Sequence, residues 1–326
     1  MSVATESEQV LDELRAADKL FLTTHENPDG DALGSLRAMQ IVLEALGKDS
    51  VMFMARDEFP LPREYRHMPF DDVLADPPPD MAERLVVFLD CGNMDRMPVD
   101  FIQESGCRIV NIDHHHDNTR FGDVNLVKGD ASCTAEIVYE LARELGTEIT
   151  KPLAEALYIG LVTDTGKFMF ENTTPAAHQM AAELIAHGVE PQVIHQRLYE
   201  GLPFSRIKLL ARALGKVQRF DGGALTLTHL TRDDFAHSEA DESDSEGIVD
   251  HMRQVEGTLV SCLVRDLLSN DGRRKVSLRA TDGRVDVSQI ARGFGGGGHR
   301  QAAGFTTDAE LPELIERVRS EVSAQL

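Results

Sequence analysis

The chain alternates short, almost wholly apolar runs with longer amphipathic stretches. Lys19–Thr24 (KLFLTT), Val51–Met54, Leu85–Leu89 (LVVFL) and Arg108–Ile112 (RIVNI) carry the pattern of strands buried on both faces. Helical spacing predicts helices over Ala32–Leu46, Ala131–Leu145, Leu153–Val162, Pro175–His187 and Pro191–Tyr199, the first closed by Gly47. The DPPPD stretch at Asp76–Asp80 is a loop, because three prolines fit neither a helix interior nor a central strand. Strands alternating with helices predict an α/β fold with a parallel sheet and helices on both faces.

The pattern changes beyond about residue 200. A mixed basic and apolar segment, SRIKLLARALGKVQ, predicts a helix, followed by strands at Ala224–His229, Thr258–Arg265 and Lys275–Ala280. Helices are expected at Gly247–Gln254, Val287–Gly293 and Leu311–Val322, and EADESDSEG (Glu239–Gly247) reads as a solvated loop. No internal repeat is evident. The expected organisation is a domain over 1–195, a connector helix over 196–217 acting as hinge, and a smaller α/β domain over 218–326. The active site is expected in the cleft between the two domains.

Composition narrows the class. The 326 residues include 55 acidic and 33 basic side chains, a net charge of −22. Such a surface repels phosphates at long range and argues against a broad basic nucleic-acid groove. An anionic ligand must then be small, bridged by metal, or held in a locally positive pocket. The acidity itself is compatible with a high-salt host or with an acidic proteome. No apolar run approaches the ~18 residues of a membrane span, and the N-terminus MSVATESEQV lacks the basic start of a secretory signal. Cys91, Cys107, Cys133 and Cys262 are widely spaced, which speaks against a zinc cage or disulfide framework and for a reducing, cytoplasmic setting.

Ionisable residues gather where the predicted strands end. His25, Asp29 and Asp31 follow the first, Asp90 ends the third, and Asp113-His114-His115 ends the fourth. Asp164, in LVTDTGKF, follows a helix, with TDTG expected as a turn that returns to the same edge. In an open parallel sheet that edge is where ligands bind. Taken singly, each acid reads as a turn or N-cap residue. Taken together, several carboxylates in one crevice are costly unless cations neutralise them. Carboxylates with imidazoles and no thiolate cluster favour manganese or magnesium, and the histidines tip the preference to manganese. The ligand set exceeds the needs of one open ion, so two ions sharing a carboxylate are expected. Such a pair, about 3.5–4 Å apart, suits in-line displacement at phosphorus.

HENPDGDALGS, FLDCGN, NIDHHHDN and LVTDTGKF resemble, in order, the four signature motifs of the DHH phosphoesterase superfamily. The resemblance implies that His25 and Asp29 hold one ion, that Asp31, His114 and Asp164 hold the other, and that Asp90 bridges them. It also implies catalytic roles for Asp113, which orients a neighbouring imidazole, and for His115, which faces the substrate phosphate.

The segment GFGGGGHRQAAGF (Gly293–Phe305) is too glycine-rich for an ordinary strand or helix. Consecutive glycines can point N–H groups at an anion, and His299 and Arg300 add positive donors. It is neither a Walker A loop nor a dinucleotide fingerprint. It resembles the GGGH signature of the DHH-associated C-terminal domain, and Ser277-Leu278-Arg279 resembles that domain's substrate-facing strand. Gly296, Gly297, Gly298, His299 and Arg279 are therefore the expected substrate-binding residues.

A chain of this size with this second domain most resembles the oligoribonuclease/PAP phosphatase (nanoRNase) subfamily. That implies hydrolysis of very short single-stranded RNA, including dinucleotides such as pApA, to mononucleotides, with 3′-phosphoadenosine 5′-phosphate as a further substrate. The competing readings are a RecJ-like single-strand DNA exonuclease, which usually carries extra DNA-binding domains, and a non-catalytic nucleotide-sensing module. Family II pyrophosphatases share the metal motifs but have a lysine-bearing second domain without GGGGH. No obligate protein partner is evident, no membrane is involved, and a homodimer is compatible with the sequence.

Overall fold

A computed structural model describes residues 5–96, 100–269 and 272–326. The chain forms two compact units, Met1–Glu200 and Gly201–Leu326. In the first, the elements run α1 (Glu6–Ala16), β1 (Lys19–Thr23), α2 (Gly30–Ala45), β2 (Asp49–Met52), β3 (Leu85–Leu89), α3 (Phe101–Glu104), β4 (Ile109–Asp113), β5 (Val124–Val127), α4 (Thr134–Glu144), α5 (Lys151–Asp164), α6 (Pro175–Ala186) and α7 (Pro191–Tyr199). The strands form one sheet in the order β2-β1-β3-β4-β5, every pair parallel.

Alternation along each strand explains the continuous apolar runs. Leu20, Leu22, Val87, Leu89, Val110 and Ile112 join the larger core with residues of α1, α2, α4 and α5. Phe21, Val86, Phe88 and Ile109 enter the opposite core with Phe53 and Ile102 of α3. There the Phe21 ring stacks on Phe53 at 5.2 Å and meets Phe101 edge-on at 6.1 Å. The sheet is covered on both faces, as the sequence predicts.

The strand order places a crevice. From β1 the chain steps to β2 on one side, then returns to β3 and continues in the other direction. The carboxyl ends of β1 and β3 therefore flank a topological switch point, the usual ligand position in such sheets.

Helices α2 and α5 pack unusually closely over this edge. A Cβ on Gly34 would meet the Ala156 carbonyl oxygen at 2.6 Å, and one on Gly160 would meet Asp31 Oδ1 at 2.8 Å. Glycine is needed at Gly34 because the α5 backbone occupies the space a methyl group would take, and at Gly160 because the Ala135 Cβ, at 2.6 Å, and the Asp31 carboxylate occupy it.

In the second unit the order is α8 (Phe204–Gly215), β6 (Gln218–Phe220), β7 (Leu225–Leu230), α9 (Arg232–Ser238), α10 (Ile248–Arg253), β8 (Val260–Asp266), β9 (Arg274–Ala280), α11 (Val287–Gly293), β10 (Gly297–His299), β11 (Ala302–Thr307) and α12 (Leu311–Ser323). Its sheet runs β10-β11-β9-β8-β7-β6, with β7 and β8 parallel and the other neighbours antiparallel. One core contains Val276 and Leu278 with Ile290 of α11 and Leu314 and Val318 of α12. Another joins Leu230 and Leu263 to Phe235 and Met252.

Several elements differ from the sequence expectation. Residues 196–217 do not form one connector helix: α7 ends at Tyr199, and α8 buries Leu209 and Ala213 within the second unit. The glycine-rich segment contributes a strand after all, β10, paired with β11. Its glycines serve that hairpin, since a Cβ on Gly296 would lie 2.2 Å from the Gly304 carbonyl oxygen, and Gly298 has φ +135°. The elements α1, α3, β5, α9 and β11 lie where no helix or strand was expected, and β6 begins at Gln218, the last residue of the segment expected to be helical.

Candidate active site

The loop after β1 and the first turn of α2 deliver three residues to the switch point. His25 is buried, with Nδ1 2.7 Å from the Glu26 carbonyl oxygen and 2.7 Å from Arg96 Nη2. The tautomer protonated at Nδ1 donates to the carbonyl and leaves the Nε2 lone pair free, whereas the one protonated at Nε2 accepts from Arg96 at Nδ1. Asp29 is the N-cap of α2, with Oδ1 accepting from the backbone N–H of Asp31 at 3.0 Å and of Ala32 at 3.1 Å. Asp31 is buried in the first turn and accepts from the Thr134 N–H at 2.6 Å and the Ala135 N–H at 2.9 Å.

Asp90 stands at the centre of the cluster. It directly follows β3 in the left-handed region, φ +60°, a conformation Asp and Asn tolerate better than most residues. Its Oδ2 lies 3.7 Å from His25 Nε2, while Oδ1 lies 3.7 Å from His114 Nε2 and accepts from Thr134 Oγ1 at 2.9 Å. The two oxygens of one carboxylate thus face different imidazoles. His114 Nε2 is also 3.6 Å from Asp164 Oδ2 and 4.0 Å from Asp31 Oδ2.

Asp164 is the last residue of α5 rather than part of the following turn, and Asn172 Nδ2 donates to its Oδ2 at 3.0 Å. Asp113 is buried at the end of β4, accepting from His115 Nδ1 at 2.8 Å and Asn118 Nδ2 at 2.6 Å. This anchor holds the His115 ring through Nδ1 and not through Nε2.

Charge is concentrated here beyond what burial tolerates. Burial, with the charges of Asp90, Asp164 and Asp29, pushes Asp31 well above the usual carboxylate range. Asp164 is raised to about 6 by burial and by Asp90 and Asp29, against the opposing pull of His114. Burial also acts to raise Asp90, but His25, His115 and His114 outweigh it and hold Asp90 low. The hydrogen bond to Asp113 raises His115 to about 9 despite its burial. Burial pushes the Cys91 thiol up to about 12 and Cys133 well above its ordinary value, so neither offers a thiolate.

The donor set fits divalent cations. Ligand atoms of His25, Asp29 and Asp90 lie within 4.8 Å of one another, as do those of Asp31, His114 and Asp164, and of Asp90, His114 and His115. Ligands about 2.1 Å from a shared ion stand roughly 3–4 Å apart. The 3.6–4.0 Å gaps between imidazole and carboxylate atoms are too long for hydrogen bonds but suit such sharing. All the metal ligands expected from sequence converge here, together with Asp113 and His115.

Supporting residues went unrecognised in the sequence: Thr134, Asn118, Asn172 and Arg96. Asn118 closes NIDHHHDN and could have been noticed there. Thr134 and Asn172 act across the fold, with no local signal.

In the second unit, Arg279 on β9 and His299 on β10 are both in register with Ala302 of β11. The Arg279 side chain is partly exposed, and its Nε lies 3.3 Å from Asp250 Oδ1. The His299 side chain lies outside what the structure describes. Gly297 has open space where a Cβ would be.

An open parallel sheet with this centre at its switch point, followed by a mixed-sheet unit, defines the two-domain DHH phosphoesterases. Residues 19–161 match the DHH family, N-terminal domain, and residues 224–324 match the DHHA1 domain. The chain is 36% identical over 315 residues to the bifunctional oligoribonuclease and PAP phosphatase NrnA of Thermus thermophilus, covering 94% of this chain and 90% of that protein. The chain therefore belongs to the NrnA family of DHH phosphoesterases. Its fold is similar to an exopolyphosphatase-related protein from Bacteroides fragilis (TM-score 0.88, 24% identity, 98% of this chain and 96% of that one). RecJ of Thermus thermophilus, solved with Mn2+, shares the fold at TM-score 0.56 and 15% identity, matching 98% of this chain but 54% of RecJ. Among the described residues, no helix is long and apolar enough to cross a membrane.

Proposed function

We propose that this chain hydrolyses very short oligoribonucleotides, including dinucleotides such as pApA, to mononucleotides, and 3′-phosphoadenosine 5′-phosphate to AMP. The observation that carries the reading is Asp90, whose Oδ2 faces His25 and whose Oδ1 faces His114. In this reading His25 and Asp29 hold one divalent cation, Asp31, His114 and Asp164 hold a second, and Asp90 serves both. Manganese is preferred and magnesium accepted, from the mixture of carboxylates and imidazoles. When bound, such ions supply Lewis acidity and activate water for attack at phosphorus.

The chain's own residues do the rest. Asp113 fixes His115 through Nδ1, which leaves Nε2 as a donor to a phosphate oxygen. Asn118 locks Asp113 in turn. Arg279, Gly296, Gly297, Gly298 and His299 bind the phosphate or terminal group of the substrate rather than metal. Membership of the NrnA family supports the substrate class, and the net charge of −22 supports short substrates over a long strand.

The test is product analysis with Mn2+ or Mg2+ on RNAs and DNAs of two to ten nucleotides, and on 3′-phosphoadenosine 5′-phosphate, with bound metal counted in parallel. Mononucleotide release should fall steeply beyond a few nucleotides, with two ions per chain. Comparable processive digestion of long single-stranded DNA would favour a RecJ-like activity. Failure to hydrolyse any of these substrates would refute the reading.

A further inference from the structure

The turn that follows Asp164 is built against its own backbone preferences. Gly166, Lys167 and Phe168 occupy the left-handed region in succession, at φ +55°, +63° and +63°. For the two residues with side chains, this conformation persists only where surrounding contacts hold it. Those contacts are present. The Phe168 ring stacks on His178 at 5.0 Å, and Lys167 Nζ lies 4.0 Å from the centre of the Tyr199 ring. The N–H groups of Met169 and Phe170 donate to the Thr165 carbonyl at 2.9 and 3.0 Å. Asn172 then returns to Asp164 and also donates to the Ser132 carbonyl at 2.8 Å.

This anchoring displays two large apolar side chains. Met169 is 73% exposed and Phe170 53% exposed. Phe170 is nonetheless held in place: a Cβ on Gly166 would lie 2.5 Å from its Cε2 and Cζ, so the ring rests directly on the glycine. A hydrogen bond from its backbone N–H to the Thr165 carbonyl ties it to the residue that follows Asp164. An exposed aromatic ring held in one place offers a face on which a planar ligand can stack.

We propose that Phe170, flanked by Met169, is the stacking platform for a nucleobase of the substrate. The proposal deepens the nucleotide reading of the centre and rests on it. Stacking uses the π-face that every base presents, so this platform would accept short RNAs of any sequence. The Met169 thioether adds a soft, adaptable contact at its edge.

The test compares the affinities of AMP and ribose 5-phosphate for the Mn2+-loaded protein, which differ only in the base. The wild type should prefer AMP by about 5- to 150-fold, the range of one base–aromatic stack. Phe170→Ala should lose most of that preference, and Phe170→Tyr should retain it. Gly166→Ala, whose Cβ displaces the ring, should behave like Phe170→Ala. An unchanged preference in Phe170→Ala, or no preference in the wild type, would overturn the platform. Dinucleotide hydrolysis by the wild type is scored separately. If it is absent, the proposed reaction fails, while the affinity ratio still decides the platform.

Discussion

Asp31 caps a helix to which it does not belong. Its carboxylate accepts the Thr134 N–H at 2.6 Å and the Ala135 N–H at 2.9 Å, although 103 residues separate Asp31 from Thr134. The natural N-cap position, Cys133, makes no side-chain cap to α4. One acid therefore ties α2 to the start of α4 and offers its remaining electron pairs to the centre.

Asp31→Ala should accordingly have two effects. Bound Mn2+ should fall below two ions per chain, with a loss of activity of at least about 100-fold, since even indirect partners of metal ligands cost 10–100-fold. The start of α4 should also loosen, because losing an N-cap costs about 0.5–2 kcal/mol. Metal counting and amide hydrogen exchange over residues 134–137 check both effects. Full metal loading in this variant would remove Asp31 from the ligand set.

Asp90 calls for a pair of variants. Asp90→Ala and Asp90→Asn should both abolish turnover while leaving the fold intact. Alanine should also be the less stable of the two by about 1 kcal/mol, because asparagine tolerates the left-handed conformation at φ +60° and alanine does not. Denaturant unfolding separates the two contributions. Full activity of Asp90→Ala under saturating Mn2+ would sink its bridging role.

The metal-free protein should lose stability as pH rises. Asp164 titrates near 6 in the folded chain against an ordinary 3.8, so its folded form binds the extra proton across that interval. The corresponding stability is fully present below about pH 4 and lost as pH climbs through 6. His115, raised to about 9 from 6.5, acts with the same sign between those values. Divalent cations compensate the ionised carboxylates, so the rise in melting temperature caused by Mn2+ should be large above pH 6 and shrink below it. Melting curves with Mn2+ or chelator from pH 5 to 8 test this. A cation effect independent of pH would contradict it.

The close packing of α2 on α5 also sets the distance between Asp31 and Asp164. Gly34→Ala would drive a methyl group into the Ala156 carbonyl and the Gly160 amide, and Gly160→Ala would press on Asp31. Either should destabilise by about 1–3 kcal/mol and weaken Mn2+ binding, although neither removes a ligand. Unaltered Mn2+ affinity would show that the centre tolerates separation of the two helices.

Arg279 tests the division of labour between the units. Arg279→Ala should leave bound metal unchanged and lower kcat/KM on dinucleotides by roughly 10- to 150-fold, the cost of a charged hydrogen bond made in the transition state. A generic activated phosphodiester should be affected far less. Loss of metal, or equal loss on both substrates, would place Arg279 in the service of the metal centre or of folding.

The residues of the centre were legible in the chain because each lies at the end of an apolar run, and strand periodicity is a local property. The expectation of manganese or magnesium rests on donor types alone. The strand order, with its switch point between β1 and β3, was not legible, since parallel pairing joins segments far apart in sequence. Nor was the hairpin of β10 and β11, where close approach of the paired backbone leaves no room for a side chain at Gly296 and Gly298. Thr134 and Asn172 became supports of the centre only when folding brought them to Asp90 and Asp164. Local composition thus determined which groups can bind a cation. Only the tertiary structure decided that Asp90 turns one oxygen toward each side of the cluster, because that orientation depends on β1, β3, β4 and α4 meeting at one edge.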